Sequence, residues 1–378
     1  MRHSLVIALS ISLMTICSAA QADPRAQRSS QAGAPSIEVT FVLDTTGSMG
    51  GLIEGAKEKI WSIASKIASA RPTPNLRVGL VGYRDLGDAY VTKAYDLSDD
   101  LDAVYEHLRA FKAQGGGDTP EHVGRALGEA VSTFSWSTSS KTMKMIFLVG
   151  DAPPQLHRDG WNYLKWAKKA GEKGLVVNTI RCGNMGRTGQ AFQEIAQLAQ
   201  GSFTTIDASG GMVAIQTPYD KEIETLNKAL AATALYGGKG RRRAQSKAQR
   251  IGDMKGEALA NRVKYQLGRK KRSSTPDAVG ILDSSLGTAK NLAASPKALE
   301  SLKADELPQA LKKMSKKEQR AHVAKLAKKR QRLTTKLTKL SEARDTFIAG
   351  KKDAKSDSFD AQVMRDIKKR GAKFGLSF

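Results

Sequence analysis

The chain has 378 residues, 26% of them charged, and a formal net charge of +24 at pH 7. This length exceeds one small domain and is enough for two or three. Beyond the N-terminus, no apolar run is long enough to span a bilayer, which argues against an integral membrane protein. No HExxH, CxxC, GxSxG or GxxxxGKS motif is present, which argues against the hydrolase and nucleotide-binding classes that carry them.

The first 22 residues have the pattern of a signal peptide. A short apolar core follows Arg2, and Ala20-Gln21-Ala22 fits an A-x-A cleavage site. The core is too short to serve as a membrane anchor. We therefore expect cleavage after residue 22 and export to the periplasm or secretion. Residues 23–36 are small, polar and proline-containing, and predict a flexible leader.

Charge divides the remaining chain into two halves. Residues 23–216 carry 21 basic and 20 acidic side chains, whereas residues 217–378 carry 39 and 17. A nearly neutral half therefore precedes a strongly basic half, and the change predicts a domain boundary. After cleavage Cys182 is the only cysteine. It ends an apolar run, so we expect a buried thiol and no intramolecular disulfide.

Strand and helix patterns alternate through the neutral half. Runs of buried apolar residues predict strands at 37–43, 76–85, 89–95, 144–151, 175–182 and 202–207. Amphipathic spacing predicts helices at 52–70, 101–111, 121–134, 161–174 and 190–200. This alternation indicates an α/β fold with a doubly wound, mostly parallel sheet that is covered on both faces.

Three loops at predicted strand ends are rich in oxygen donors. They are Asp44-Thr45-Thr46-Gly47-Ser48, GGGDTPE at 115–121, and Gly150-Asp151-Ala152-Pro153-Pro154. In parallel sheets ligands bind at the carboxyl ends of the strands. Asp44, Thr46 and Ser48 alternate along their loop, so their side chains can converge on one ion. Carboxylates and hydroxyls suit a hard cation such as Mg²⁺. The alternative is an acidic turn with helix-capping hydroxyls.

These loops resemble the metal-ion-dependent adhesion site of the von Willebrand factor type A family, over about residues 37–216. The family's D-x-S-x-S motif matches Asp44, Thr46 and Ser48, with threonine in place of the first serine. The resemblance also implies Thr119 and Asp151 as metal ligands. YRD at 83–85 and GGGDTPE are similar to the hemicentin-like subgroup found in many exported bacterial proteins.

The resemblance implies a binding module and not an enzyme. In domains of this type the ion keeps one coordination position open, and a carboxylate of a protein partner often completes it. The expected cofactor is a divalent cation, with Mg²⁺ favoured over Mn²⁺ or Ca²⁺. The alternative is a scaffold whose ion is only structural.

The basic half is helical in pattern. We predict a basic helical segment at 217–270, a linker at 271–300, and a helical hairpin or coiled-coil-like region at 301–378. Ser315 and Glu318 form a capping box, and apolar residues follow at heptad spacing. The pattern from Phe359 to Ile367 predicts the partner helix of the hairpin. The excess charge favours contact with anionic envelope material, either polymer or lipid.

Two further functions can be considered from the residues. A metal-assisted hydrolase of envelope polymers would need a base beside the ion, and Asp118 or Glu121 would be the candidates. Nucleic-acid binding in vivo is disfavoured because the basic half has few aromatic residues for base stacking.

Overall fold

The computed structural model describes residues 35–117, 119–156, 160–211, 215–272, 289–351 and 358–378. The predicted signal peptide and nearly all of the leader lie outside the described residues, as does Asp118. Most of the predicted linker at 271–300 lies outside them as well.

A six-stranded sheet forms the centre of the fold, in the order β3-β2-β1-β4-β5-β6. β3 is antiparallel to β2 and the other neighbours are parallel. The strands are β1 Ser36–Asp44, β2 Asn75–Tyr83, β3 Thr92–Ser98, β4 Thr142–Gly150, β5 Val176–Cys182 and β6 Phe203–Ile206. The predicted doubly wound, mostly parallel α/β fold is confirmed. A separate antiparallel pair joins β7 Tyr236–Gly237 to β8 Lys290–Asn291.

Helices cover both faces of the sheet. In chain order they are α1 Gly50–Ala68, α2 Leu101–Ala110, α3 Val123–Ser132, α4 Tyr163–Glu172, α5 Gly186–Leu198, α6 Asp220–Ala231, α7 Arg241–Gly252, α8 Gly256–Arg272, α9 Lys316–Gly350 and α10 Phe359–Gly371. Short 3₁₀ turns include Gly47–Met49 and three between residues 296 and 311. No helix of the described residues is long and apolar enough to cross a membrane.

The two faces have separate hydrophobic clusters. Side chains alternate along β1, so Val39 and Phe41 point to one face while Val42 points to the other. Helices α3, α4 and α5 cover the Val42 face. Helices α1 and α2 cover the opposite face, and α6, α7, α8 and α10 continue the same cluster.

The basic half therefore packs on the core of the first half. α8 packs against α1, and α10 packs against α1 and β4. The C-terminus is tied to the loop after α1 by hydrogen bonds in both directions between Arg71 and Ser377. All described residues lie in one compact unit. The change of charge at residue 216 does not mark the edge of a hydrophobic core.

The predicted hairpin of the last two long helices is not formed. α9 packs chiefly against α6 and α8, whereas α10 packs chiefly against α1. The polar residues in the apolar seam of α9 explain the difference, because Arg344 pairs with Asp220 on α6 at 2.8 Å. The apolar side of α10 is buried on the sheet, where the rings of Phe359 and Phe41 lie 5.9 Å apart. The capping box of Ser315 and Glu318 is present.

Buried ion pairs join the two halves. Arg262 donates two hydrogen bonds to Asp102, at 2.6 and 2.9 Å, and its side chain is fully buried. Lys247 pairs with Asp100 at 2.8 Å in a less buried position. Part of the positive charge of the second half thus neutralises acids of the first, and removing one partner of such a pair is costly.

Candidate metal centre

The candidate site lies where the strand order reverses. β2 adds to one side of β1 and β4 to the other, so the carboxyl ends of β1 and β4 form the switch point of the sheet. β1 ends at Asp44, and β4 ends one residue before Asp151. The two aspartates are thus placed side by side by parallel pairing of their strands.

The first loop orients its oxygens by internal hydrogen bonds. Oδ1 of Asp44 accepts from the Thr46 main-chain N–H at 2.9 Å and from its hydroxyl at 2.6 Å. The Ser48 hydroxyl lies 3.3 Å from that of Thr46. The intervening Thr45 points the other way and donates to the carbonyl of Tyr83. These hydrogen bonds therefore hold the alternate side chains of Asp44, Thr46 and Ser48 close together.

The second loop packs directly on the first. Main-chain bonds join Gly47 to Gly115, and Gln114 to Thr45. Gly116 has φ +75° and a Cβ there would lie 2.8 Å from Cβ of Thr46, so only glycine fits at this approach. The loop continues to Thr119, which is solvent-exposed.

The third loop is joined to the second beyond Thr119. The main-chain N–H of Glu121 donates to Pro153, and that of Gln155 donates back to Glu121. The residue before Asp151 is also closely packed. A Cβ on Gly150 would lie 3.3 Å from Oδ2 of Asp44, which favours glycine there. The structure therefore brings together the loops that carry all five predicted ligands: Asp44, Thr46, Ser48, Thr119 and Asp151.

Burial makes this site unfavourable for uncompensated negative charge. Burial raises the pKa of Asp44 to about 7, the charge of Asp151 adds to the effect, and the hydrogen bonds from Thr46 oppose it. Burial also raises the pKa of Glu121 to about 9, and the charges of Asp44, Asp85 and neighbouring acids add to it. A bound cation would relieve both effects.

The residues fit a hard divalent cation. Oδ2 of Asp44 and Oε2 of Glu121 are buried and have no hydrogen-bond partner among the described residues. No group of three or more His, Cys, Asp or Glu side chains in the described part of the chain has metal-binding geometry. A site here must therefore draw on hydroxyl oxygens, which Thr46 and Ser48 supply beside Asp44, and such donors suit Mg²⁺-like ions.

Sequence reasoning did not find every residue of this region. Asp88, at the end of YRDLGD, accepts a hydrogen bond from Gly116 at 3.2 Å and so supports the second loop. Arg84 donates to the carbonyls of Thr45 and Lys112 and so joins the first loop to the chain before the second. The available signal was the two acids, Asp85 and Asp88, that follow the end of β2. Their hydrogen-bond partners lie far along the chain, so the sequence did not reveal the role of these acids.

Two further residues near the loops, Cys182 and His122, are buried. Cys182 is buried, as expected, and burial raises its thiol pKa well above the usual range. His122 is buried at the start of α3, where its Nδ1 accepts from the main-chain N–H of Arg125 at 3.4 Å.

The half of the chain that carries the site is similar to known proteins. Residues 38–217 match the family model described as von Willebrand factor A domain. An ariadne-like RING finger protein of Acanthamoeba polyphaga mimivirus is 27% identical over 118 residues, which are 31% of this chain and 11% of the viral protein.

Solved structures are similar to a little under half of the chain. The SpRpn10 VWA domain is 13% identical with TM-score 0.36, covering 46% of this chain and 89% of its own. Pilus adhesin SpaC from Lactobacillus rhamnosus GG is 16% identical with TM-score 0.37, covering 47% and 28%. Proximal thread matrix protein 1 from the mussel byssus, with a zinc-occupied MIDAS motif, is 17% identical with TM-score 0.37, covering 46% and 42%.

Proposed function

We propose, on the premise that residues 38–217 are a von Willebrand factor A domain, that this chain is a metal-dependent protein-binding module. The observation that carries the proposal is the buried Asp44 carboxylate, which has one oxygen held by Thr46 and the other without a hydrogen-bond partner among the described residues. Asp44, Thr46, Ser48, Thr119 and Asp151 would hold a divalent cation, with Mg²⁺ favoured. The ion supplies a positive charge that an acidic group of a protein partner can complete.

Calorimetric titration of Mg²⁺ into metal-free protein tests this proposal. We expect saturable binding to one site, which is lost in Asp151→Ala and retained in the control Asp253→Ala, whose side chain is exposed at the end of α7. Equal binding by wild type and Asp151→Ala would contradict the assigned ligands.

A hydrolase is the less favoured function. Asp118 lies outside the described residues, and Glu121 is 2% exposed and sits between two loops. A base must reach its substrate within hydrogen-bond distance, directly or through one water. We therefore propose that the chain is not an enzyme. Turnover of an ester or glycan substrate that is lost in Asp44→Ala would overturn this.

A second binding function is favoured by one face of α9. Six basic side chains are exposed there: Lys325, Lys328, Lys329, Arg332, Lys336 and Lys339. At 100° per residue they fall within an arc of about 100°, and they extend over roughly 21 Å. No acidic residue occurs on α9 between Glu318 and Glu342. We propose that this face contacts anionic envelope material, as a lipid or polymer surface.

Vesicle binding tests the basic face. Each basic residue near an anionic surface contributes about 1 kcal/mol, so Lys328→Gln/Lys336→Gln should weaken binding to phosphatidylglycerol vesicles by roughly tenfold or more. The control Lys165→Gln/Lys168→Gln removes two exposed lysines from α4 and should have little effect. Equal losses in both variants would show that net charge, and not this face, determines binding.

We also propose that the chain is exported, on the sequence pattern of residues 1–22 alone. If residues 1–22 are a signal peptide, mass spectrometry of the exported protein should give a chain that begins at Asp23. A chain retained in the cell with its first residues intact would contradict export.

A further inference from the structure

Exposed large apolar side chains are concentrated at one edge of the molecule. Among the described residues they are Leu86 (54% exposed), Leu156 (79%), Met185 (38%) and Leu198 (42%). The first three follow β2, β4 and β5 at the carboxyl edge of the sheet, where the candidate metal centre lies. Leu198 ends α5, which runs back along the sheet, and so lies at the opposite edge. Single exposed leucines are ordinary, whereas a group around a candidate site indicates binding.

Leu86 is exposed on a turn that two hydrogen bonds stabilise. The main-chain N–H of Asp88 donates to the carbonyl of Asp85 at 3.4 Å, and that of Asp85 donates to the Asp88 carboxylate at 3.3 Å. Gly87 between them has φ +91°, the conformation that the third position of a type II turn requires. Leu86 is the second residue of this turn, and its side chain is exposed.

A side-chain hydrogen bond joins the loop of Leu156 to the turn of Leu86. The amide of Gln155 donates to Asp85 at 2.7 Å and to the carbonyl of Pro120 at 3.2 Å. Leu86 and Leu156 are the chain neighbours of these two bonded residues. The bridge therefore joins the turn that carries Leu86 to the loop that carries Leu156, next to Pro120 and the loop that carries Thr119.

Met185 lies on a loop tied to the other side of the site. The Thr188 hydroxyl, three residues further on, donates to the carbonyl of Asp151 at 2.9 Å. The carbonyl of Met185 accepts from Arg181 and from the first turn of α5. Leu86, Leu156 and Met185, which we call the apolar rim, thus come from three loops that are each hydrogen-bonded to a loop of the metal centre.

We propose that the apolar rim selects a protein segment in which one Asp or Glu is flanked by apolar side chains. The inference rests on the proposed function, in which the carboxylate completes the coordination of the ion. The flanking side chains would cover the rim. Asp85 and Asp88 lie close to the site in addition to the acidic ligands, so a segment with several acids would be repelled while a single acid would be accepted. An acidic polysaccharide offers carboxylates without apolar neighbours and would leave the rim exposed.

Selection from a random linear peptide library tests the inference. The library is bound to the full mature chain in Mg²⁺ and eluted with chelator. We expect enriched peptides to carry one acidic residue with leucine, isoleucine, methionine or phenylalanine close to it. The affinity of one selected peptide is then measured for wild type, Leu86→Ser/Leu156→Ser and Leu198→Ser.

The rim variant should bind the selected peptide more weakly by roughly tenfold for each leucine, because each loses the burial of one apolar side chain. Leu198→Ser should bind it as wild type does, and Mg²⁺ affinity should be unchanged in both variants. Enrichment of acidic peptides without apolar neighbours, or equal affinity of the rim variant, would overturn the inference alone. The absence of any chelator-released peptide would overturn the proposed function and the inference with it.

Discussion

Replacing Asp44 by asparagine should change the pH dependence of folding in the metal-free protein. Burial raises the pKa of Asp44 from 3.8 to about 7. A group with a raised folded-state pKa stabilises the fold at low pH, and that stability is lost as the pH rises through the folded pKa. Between the two pKa values the unfolded chain releases the proton that the fold retains, so the shift lowers the free energy of unfolding by about 1 kcal/mol at pH 4.5 and by about 4 kcal/mol at pH 8.

Asparagine has no charge to bury, so the variant should lack this penalty at both pH values. Its amide group brings a pH-independent cost of about 1–3 kcal/mol if it is left without an acceptor. The stability of Asp44→Asn relative to wild type should therefore improve by about 3 kcal/mol between pH 4.5 and pH 8. Urea denaturation in chelator, followed by far-ultraviolet circular dichroism, measures this difference directly.

Asp253→Asn is the matched control, because that aspartate is exposed, and it should show no comparable change with pH. Added Mg²⁺ should stabilise wild type and not Asp44→Asn, by about 2.7 kcal/mol at a concentration 100 times the Kd. A stability difference between Asp44→Asn and wild type that is the same at both pH values would refute the assigned burial cost.

Three further changes test the supports of the site and the core. Gly116→Ala should reduce Mg²⁺ affinity and lower the free energy of unfolding by about 1–3 kcal/mol, because residue 116 has a left-handed backbone and lies against Thr46. Gly117→Ala should be neutral, because the space around Gly117 is open. Equal effects of the two substitutions would contradict the packing of the second loop. Arg262→Met should lower the free energy of unfolding by about 3–5 kcal/mol, because it removes the ion pair of a buried aspartate, Asp102. Lys264→Met, which breaks an exposed ion pair, should lower it by less than about 1 kcal/mol; similar losses in denaturation would argue against the buried pair. Cys182 should react with a thiol reagent only when the protein unfolds, since burial raises its pKa and blocks access; rapid labelling of the native protein would contradict its placement.

The elements of the first half could be predicted because their signals are local. The strands around FVLD and FLVGD are continuous apolar runs, and amphipathic helices separate them. Parallel pairing then places Asp44 and Asp151 at neighbouring strand ends, as the alternation of strands and helices implies. The candidate ligands followed from the motifs on these loops, not from any knowledge of their contacts.

Only the tertiary structure decided how the helices of the second half pack. A heptad pattern states which face of α9 is apolar, but not which helix covers it, and the choice of α6 depends on Arg344 meeting Asp220, 124 residues away in sequence. The same limit applies at the site. Asp85 and Gln155 are 70 residues apart, and their hydrogen bond joins the loops that carry Leu86 and Leu156. Periodicity is a property of neighbouring residues, whereas burial and pairing depend on residues that the fold brings together.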